Sequence, residues 1–422
     1  MFTNTFSPHV GGVARSVSGL AQGLRDRGHR VLVVAPEFPA MPDREEHVIR
    51  IPALQQFAGT DFSVPIPASR SLDEDLEAFA PDIVHSHHPF LLGGTALRVA
   101  AFRNLPVIFT YHTRYELYGH YALQNSPVMM RLALNLALGY CSLCDAIIAP
   151  SESTAEFLDQ HDISVPLTII PTGVKKSEFA TGDANRVLQE MNIPPGAFVV
   201  GHVGRLAPEK NLGFLTRSLI IFLKNNPNAH FLVAGGGAME SQIREQFANE
   251  ELSERLHLAG VVQGQSLADI YAAMDVFAFS SFSETQGLVL AEAMTAGTPV
   301  VALSAPGARE IVRHGVNGYL LESEVAPVSF ADALATFAST SASRQQTLCR
   351  AAKETAKLYS REISVQRTID LYSKVLAANP VSQHADKRLW ETATRSLGQE
   401  WEILGNFAHA VGDAVLAPET KK

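Results

Sequence analysis

Short, nearly continuous apolar runs recur along this chain, and stretches with helical spacing separate them. His29–Ala35, Asp82–His85, Leu105–Thr110 and Asp145–Ala149 form one set. Phe198–Val203, His230–Ala234, Leu256–Val261, Val276–Ser280 and Pro299–Leu303 form a second. A strand that is apolar throughout must be covered on both faces, the condition of a parallel sheet flanked by helices. Between the runs the apolar period becomes helical, as over Val13 to Asp26. The alternation predicts an α/β protein with two Rossmann-like domains. Open sheets of this kind bind ligands beyond the carboxyl ends of their strands, so two of them place a ligand in an interdomain cleft.

The 422 residues suffice for two domains and a tail. The expected division is 1–175 for the N-terminal domain and 196–360 for the C-terminal domain, separated near the Pro- and Gly-rich stretch Pro171 to Pro195. Residues 361–380 are expected as a closing helix returning to the N-terminal domain, and 381–422 as a tail. In that tail Leu389, Ala393, Leu397, Trp401, Leu404, Ala408, Val411 and Val415 recur at spacings of three and four, the pattern of an amphipathic helix. Packing on this protein or a second subunit is the plainer reading of that helix, and a membrane surface the other. At the other end only Met1 to Thr5 precede the Ser7–Gly12 turn, so the first strand is short or the domain starts upstream.

A net charge of −9 argues against a nucleic-acid partner and gives no general attraction to anionic lipid. No apolar run approaches the ~20 residues of a membrane span. The segment Pro127–Leu138 is apolar with helical spacing, and a core helix is the preferred reading over one dipping into a bilayer. Three cysteines, an odd count, point to a reducing, cytoplasmic setting. Cys141 and Cys144 form a CxxC with no second pair at zinc spacing, so both read as small core residues.

The chemistry concentrates around SETQGLVLAEAM. Glu284 stands before Gly287, and Glu292 lies inside the following apolar helix. The amides of Thr285, Gln286, Gly287 and Leu288 would point at an anion docked on the helix start. A carboxylate accepts two O–H bonds at once, so Glu284 suits sugar hydroxyls and Glu292 a vicinal diol. Arg205 and Lys210, after the first strand of the second set, would stabilise the charge gathering on a departing diphosphate. Gly11 and Gly12 leave room for a backbone to approach a phosphate. Gly236, in a Gly235–Gly237 run without the spacing of a nicotinamide fingerprint, lines the same cleft.

His112 follows a strand, where it suits bonding a sugar hydroxyl or orienting the donor, and its neighbours Arg114, Tyr115 and Glu116 suit the acceptor side. His85 and His87 share a strand face. No carboxylate stands at ligand spacing, so acceptor-site lining or packing outweighs a metal reading. Asp73–Asp75 spells DxD, but Ser71 and Glu74 read as a capping box and the acids as helix-start charges.

Together the GG loop, HT at His112, GRLAPEKN and the Glu284/Glu292 pair resemble the family 4 glycosyltransferases, from about Phe2 to Ala377. The resemblance implies a GT-B fold, two facing Rossmann-like domains, with an additional C-terminal helical tail here. It implies that Glu292 holds a ribose diol and Glu284 the donor sugar. It implies that Arg205, Lys210 and the amides of Gly12 and Leu288 hold the pyrophosphate, with Val262 on the donor side. It also implies a retaining, metal-independent reaction with no cofactor beyond the nucleotide-sugar substrate. HSHHPFLLG, TYHTRYELYGHY and SETQGLVLAEAM look most like glucosyltransferases acting on diacylglycerol. UDP-glucose is then the expected donor, and a lipid at a membrane surface the acceptor, reached by peripheral attachment to the inner face of the cell membrane. A GDP-mannose donor, a soluble acceptor, or a UDP-sugar epimerase are the alternatives; an epimerase would turn over its donor with no acceptor.

Overall fold

In a computed structural model the described residues are 1–42, 45–54, 63–65, 70–115 and 127–378. The tail 381–422, Glu116 and the segment after it to residue 126 lie outside them. The chain folds as two compact units. One comprises Met1–Ala149, Phe157–Thr168 and the described residues from Ile369 on, and the other Pro150–Glu156 and Ile169–Thr368.

In the N-terminal unit, β1 (Val33–Pro36) pairs in parallel with β2 (Val48–Ile51). Two further short strands, β3 (Ala53–Leu54) and β4 (Val64–Pro65), form an antiparallel pair. A four-stranded sheet runs β5 (Val84–Ser86), β6 (Val107–Thr110), β7 (Ala146–Ala149) and β8 (Leu167–Ile169). The chain start joins this sheet to the β1–β2 pair. Phe2 bridges Val34 and Ser86 in parallel fashion, with Phe2 N–H donating to His85 O at 2.9 Å and Thr3 N–H to Val34 O at 3.0 Å. Met1–Thr3 thus serves as a central strand of this sheet. The sheet's apolar residues pack with Leu92, Ala96 and Tyr140 of the flanking helices Leu92–Arg103 and Pro127–Cys141. That second helix buries Leu136, Ala137, Tyr140 and Cys141 and exposes Arg131 and Asn135, so one of its faces belongs to the core.

The other unit is built on one parallel sheet ordered β11 (Leu256–Leu258), β10 (Ala229–Ala234), β9 (Phe198–Val203), β12 (Val276–Phe279), β13 (Val300–Leu303) and β14 (Gly318–Leu321). The chain starts at β9, adds strands on one side, then returns to add the rest on the other. This is the doubly wound order, and its switch point lies between β9 and β12. With Phe2 counted as a strand, the first sheet has its switch point between Phe2 and β5. Ligand crevices of open α/β sheets form outside the strands' carboxyl ends at such switch points. Among the described residues no helix is long and apolar enough to cross a membrane.

Candidate functional site

At the β9/β12 switch point two loops are stitched together. After β9 the chain passes Gly204 and Arg205 into a single 3-10 turn, Pro208–Lys210, and Asn211 adopts φ 54°, a left-handed conformation that asparagine tolerates. Ser280 Oγ donates to the Lys210 and Asn211 carbonyls at 3.2 Å, Asn211 Nδ2 to Ser280 O at 3.3 Å, and Ser283 Oγ to Glu209 O at 3.2 Å. These bonds seat Lys210 beside the first acid. Lys210 Nζ donates to Glu284 Oε1 at 2.6 Å, with both side chains mostly buried. Burial alone would raise the Glu284 pKa. The Lys210 charge and hydrogen bond outweigh it, helped by Ser281 and Arg205, so the carboxyl sits below its ordinary value. Arg205 stays half-exposed, and its Nη2 reaches the buried Glu209 Oε1 at 3.1 Å.

Gly287 sits at φ 72° as the residue before the helix Leu288–Ala296, a backbone region where glycine carries no penalty. Gly287 has no side chain to cap that helix, and within its first turn the Leu290 N–H donates to Gly287 O at 2.9 Å. Glu292 lies one turn in, 2% exposed, accepting from Tyr271 Oη at 2.8 Å. Both acids are therefore held within the protein rather than turned out to bulk water.

Gln286, whose main-chain amide is the group expected on the donor, commits its side chain to Thr172. Its Oε1 accepts from Thr172 N–H at 2.6 Å and its Nε2 donates to Thr172 O at 2.9 Å, a two-point match to one residue's main chain. Thr285 contributes its carbonyl to Thr154 Oγ1 at 3.1 Å. The loop before the helix is thus pinned from behind. Gly235, at φ 139°, brings the β10 loop so close that a Cβ there would stand 1.8 Å from Gly204 O. Gly236 faces Val261, whose Cγ2 would lie 3.2 Å from an added Cβ, while Val262 is half-buried against the core.

Sequence reasoning missed His202. It lies inside β9, 2% exposed, with Nδ1 donating to the Ala278 carbonyl at 3.0 Å across the switch point. Burial lowers its pKa to about 4, so it is neutral at neutral pH. A single polar residue in an apolar strand, GHVGR, was the available signal.

The switch point of the N-terminal unit gathers the other expected residues. Gly11 precedes the helix Gly12–Arg25, and nothing lies within 4 Å of an added Cβ at Gly12. His85 and His87 share a face, their rings stacked at 4.2 Å. His85, expected to line an acceptor site, is instead a satisfied core residue: Nδ1 meets Tyr372 Oη at 2.6 Å and Nε2 meets Thr110 Oγ1 at 2.7 Å. A buried ring with both nitrogens engaged has nothing left for a ligand. His87 Nδ1 lies 3.0 Å from His112 Nε2. Arg114 stacks its guanidinium 4.3 Å over Phe157, and Tyr115 packs edge-on to Phe90 and Tyr111.

Two family profiles match the chain in tandem: Glycosyltransferase Family 4 over residues 10–178, and Glycosyl transferases group 1 over residues 184–356. The chain is 32% identical to the GDP-mannose-dependent alpha-mannosyltransferase of Mycobacterium tuberculosis over 323 residues, 75% of this chain and 82% of that one. The chain belongs to the family 4 glycosyltransferases. It is also 29% identical to the alpha-monoglucosyldiacylglycerol synthase of Streptococcus pneumoniae over 330 residues, 77% of this chain and 75% of that one. The crystal structure of Anabaena Alr3699/HepE in complex with UDP-glucose superposes with a TM-score of 0.68 at 21% identity, covering 88% of this chain and 99% of that one. The fold is GT-B, and the protein is a hexosyltransferase.

Proposed function

We propose that this glycosyltransferase moves glucose from UDP-glucose to a lipid such as diacylglycerol, with retention of configuration and without a metal ion. The observation that carries the donor half is the Lys210–Glu284 pair beside an uncapped helix start, with Glu292 buried one turn in. Glu292 takes the ribose diol, since a buried carboxylate repays its desolvation when O–H groups bond it. The Leu288 amide, Arg205 and Lys210 take the diphosphate, and on the N-terminal unit we assign the Gly12 amide to it as well. Sugar hydroxyls compete with Lys210 for Glu284, and the freed ammonium turns to the leaving phosphate, where charge grows most as the glycosidic bond breaks. The leaving phosphate oxygen accepts the acceptor's proton, so the attack needs no enzymic nucleophile. His112 is assigned to the donor sugar.

The lipid half is supported by the likeness to a protein named for glucosyldiacylglycerol synthesis and by the HSHHPFLLG and TYHTRYELYGHY strings. A second reading, mannosyl transfer from GDP-mannose, is favoured by the 32% identity to a mannosyltransferase. A panel of radiolabelled UDP-glucose and GDP-mannose against extracted lipids separates them. UDP-glucose label passing into the organic phase is the expected result. Label from GDP-mannose alone establishes the second reading, and label left in water with every lipid removes the lipid acceptor.

A further inference from the structure

His87 stands between two other histidines of the N-terminal unit. Its ring stacks on His85 at 4.2 Å and on His112 at 5.3 Å. It is 1% exposed, and its Nδ1 is 3.0 Å from His112 Nε2. Its own Nε2 is buried and has no hydrogen-bond partner among the described residues. His85 cannot supply one, because Tyr372 and Thr110 occupy both of its nitrogens.

A hydrogen bond between two neutral imidazoles contains one proton, so two arrangements exist. In one, His112 donates from Nε2 and His87 keeps its proton on Nε2. That leaves a buried N–H with no acceptor, the rarer and more costly kind of unmet group. In the other, His87 donates from Nδ1 and its bare Nε2 lone pair faces the interior. His112 then receives at Nε2 and carries its own proton on Nδ1. Burial keeps both rings neutral: it is the leading cause of a pKa well below the histidine value at His87, ahead of repulsion from His85 and His112, and it also lowers that of His112.

We propose that His87 is a positioning residue that fixes His112 as its Nδ1–H tautomer, making His112 a hydrogen-bond donor to an oxygen of the nucleotide sugar and not a base. The catalytic consequence rests on the role assigned to His112 above; the tautomer does not. As a donor, His112 cannot take the acceptor's proton, which leaves that task to the departing phosphate.

The test is long-range ¹H–¹⁵N correlation on the full chain labelled at histidine, with the His112 signals identified by their loss in His112→Gln. A pyrrole-type Nδ1 and a pyridine-type Nε2 are expected near neutral pH. A protonated Nε2 in the wild type overturns the proposal without any variant. In His87→Leu the His112 population should move towards the Nε2–H form, and an unchanged Nδ1–H signal in that folded variant also overturns it. With whichever donor turns over, His87→Leu should lower kcat roughly tenfold with little change in donor KM. His87→Asn, whose amide can donate from near the Nδ1 position, should restore much of the rate. A wild type inactive on every nucleotide sugar refutes the transferase reading and leaves the tautomer result standing.

Discussion

At 2.6 Å, Lys210 and Glu284 neutralise each other until a substrate competes for one of them. That pairing suits a cation whose charge is needed most when the diphosphate departs. Lys210→Ala should lower kcat by roughly 10²–10³-fold, the scale of losing one charge-stabilising donor, while the donor dissociation constant changes far less. Single-turnover and binding measurements separate the two, and an equal loss in ground-state binding alone would contradict the role. The same substitution removes the main force opposing burial at Glu284, so that carboxyl should titrate higher in the variant. Neither this pair nor the His87–His112 pair was legible in the sequence, because Lys210 and Glu284 are 74 positions apart and His87 and His112 are 25 apart. Residue types and motif spacing named the members; only the fold brings the partners together.

The helix Leu288–Ala296 and the loop before it act as one element, held by the two bonds between Gln286 and Thr172. Removing them in Gln286→Ala should cost about 1–3 kcal/mol of stability and raise the donor KM, because the first-turn amides lose their fixed aim. Urea midpoints and donor kinetics measure both; a KM unchanged in a destabilised protein would show that the pin serves stability alone. Strands differ in how plainly they read. β9 was read with its observed bounds, Phe198–Val203, because a central strand buried on both faces is apolar along nearly all its length, His202 being the exception. β2, β8 and β14 escaped notice because their residues are mostly half-buried, as befits strands on or near a sheet's edge, and β2 carries Arg50. Met1–Thr3 is too short for any period to show; its strand character lies in its main-chain bonds with Val34, His85 and His87.

Across the whole molecule, buried neutral histidines link stability to pH. Burial lowers the pKa of His88 to about 3 and of His202 to about 4, and those of His85 and His87 fall well below the usual value. Above about pH 6.5 these groups are neutral whether the chain is folded or not, and the penalty vanishes. As pH falls below that, the unfolded chain takes up protons that the folded one refuses. Stability should then drop by up to about 1.4 kcal/mol per pH unit for each histidine, until the folded values are reached. Urea midpoints at several pH values test this, and His202→Gln should flatten the slope; a slope untouched by that change would remove His202 from the account. The grip on an activated sugar turns on Glu292, 2% exposed beside Tyr271. The measurement is calorimetric binding of the nucleoside diphosphate to the wild type and to Glu292→Gln. A dissociation constant raised by about 10- to 100-fold, as expected for losing charge-assisted bonds to a diol, supports the account. An unchanged constant in a folded variant contradicts it.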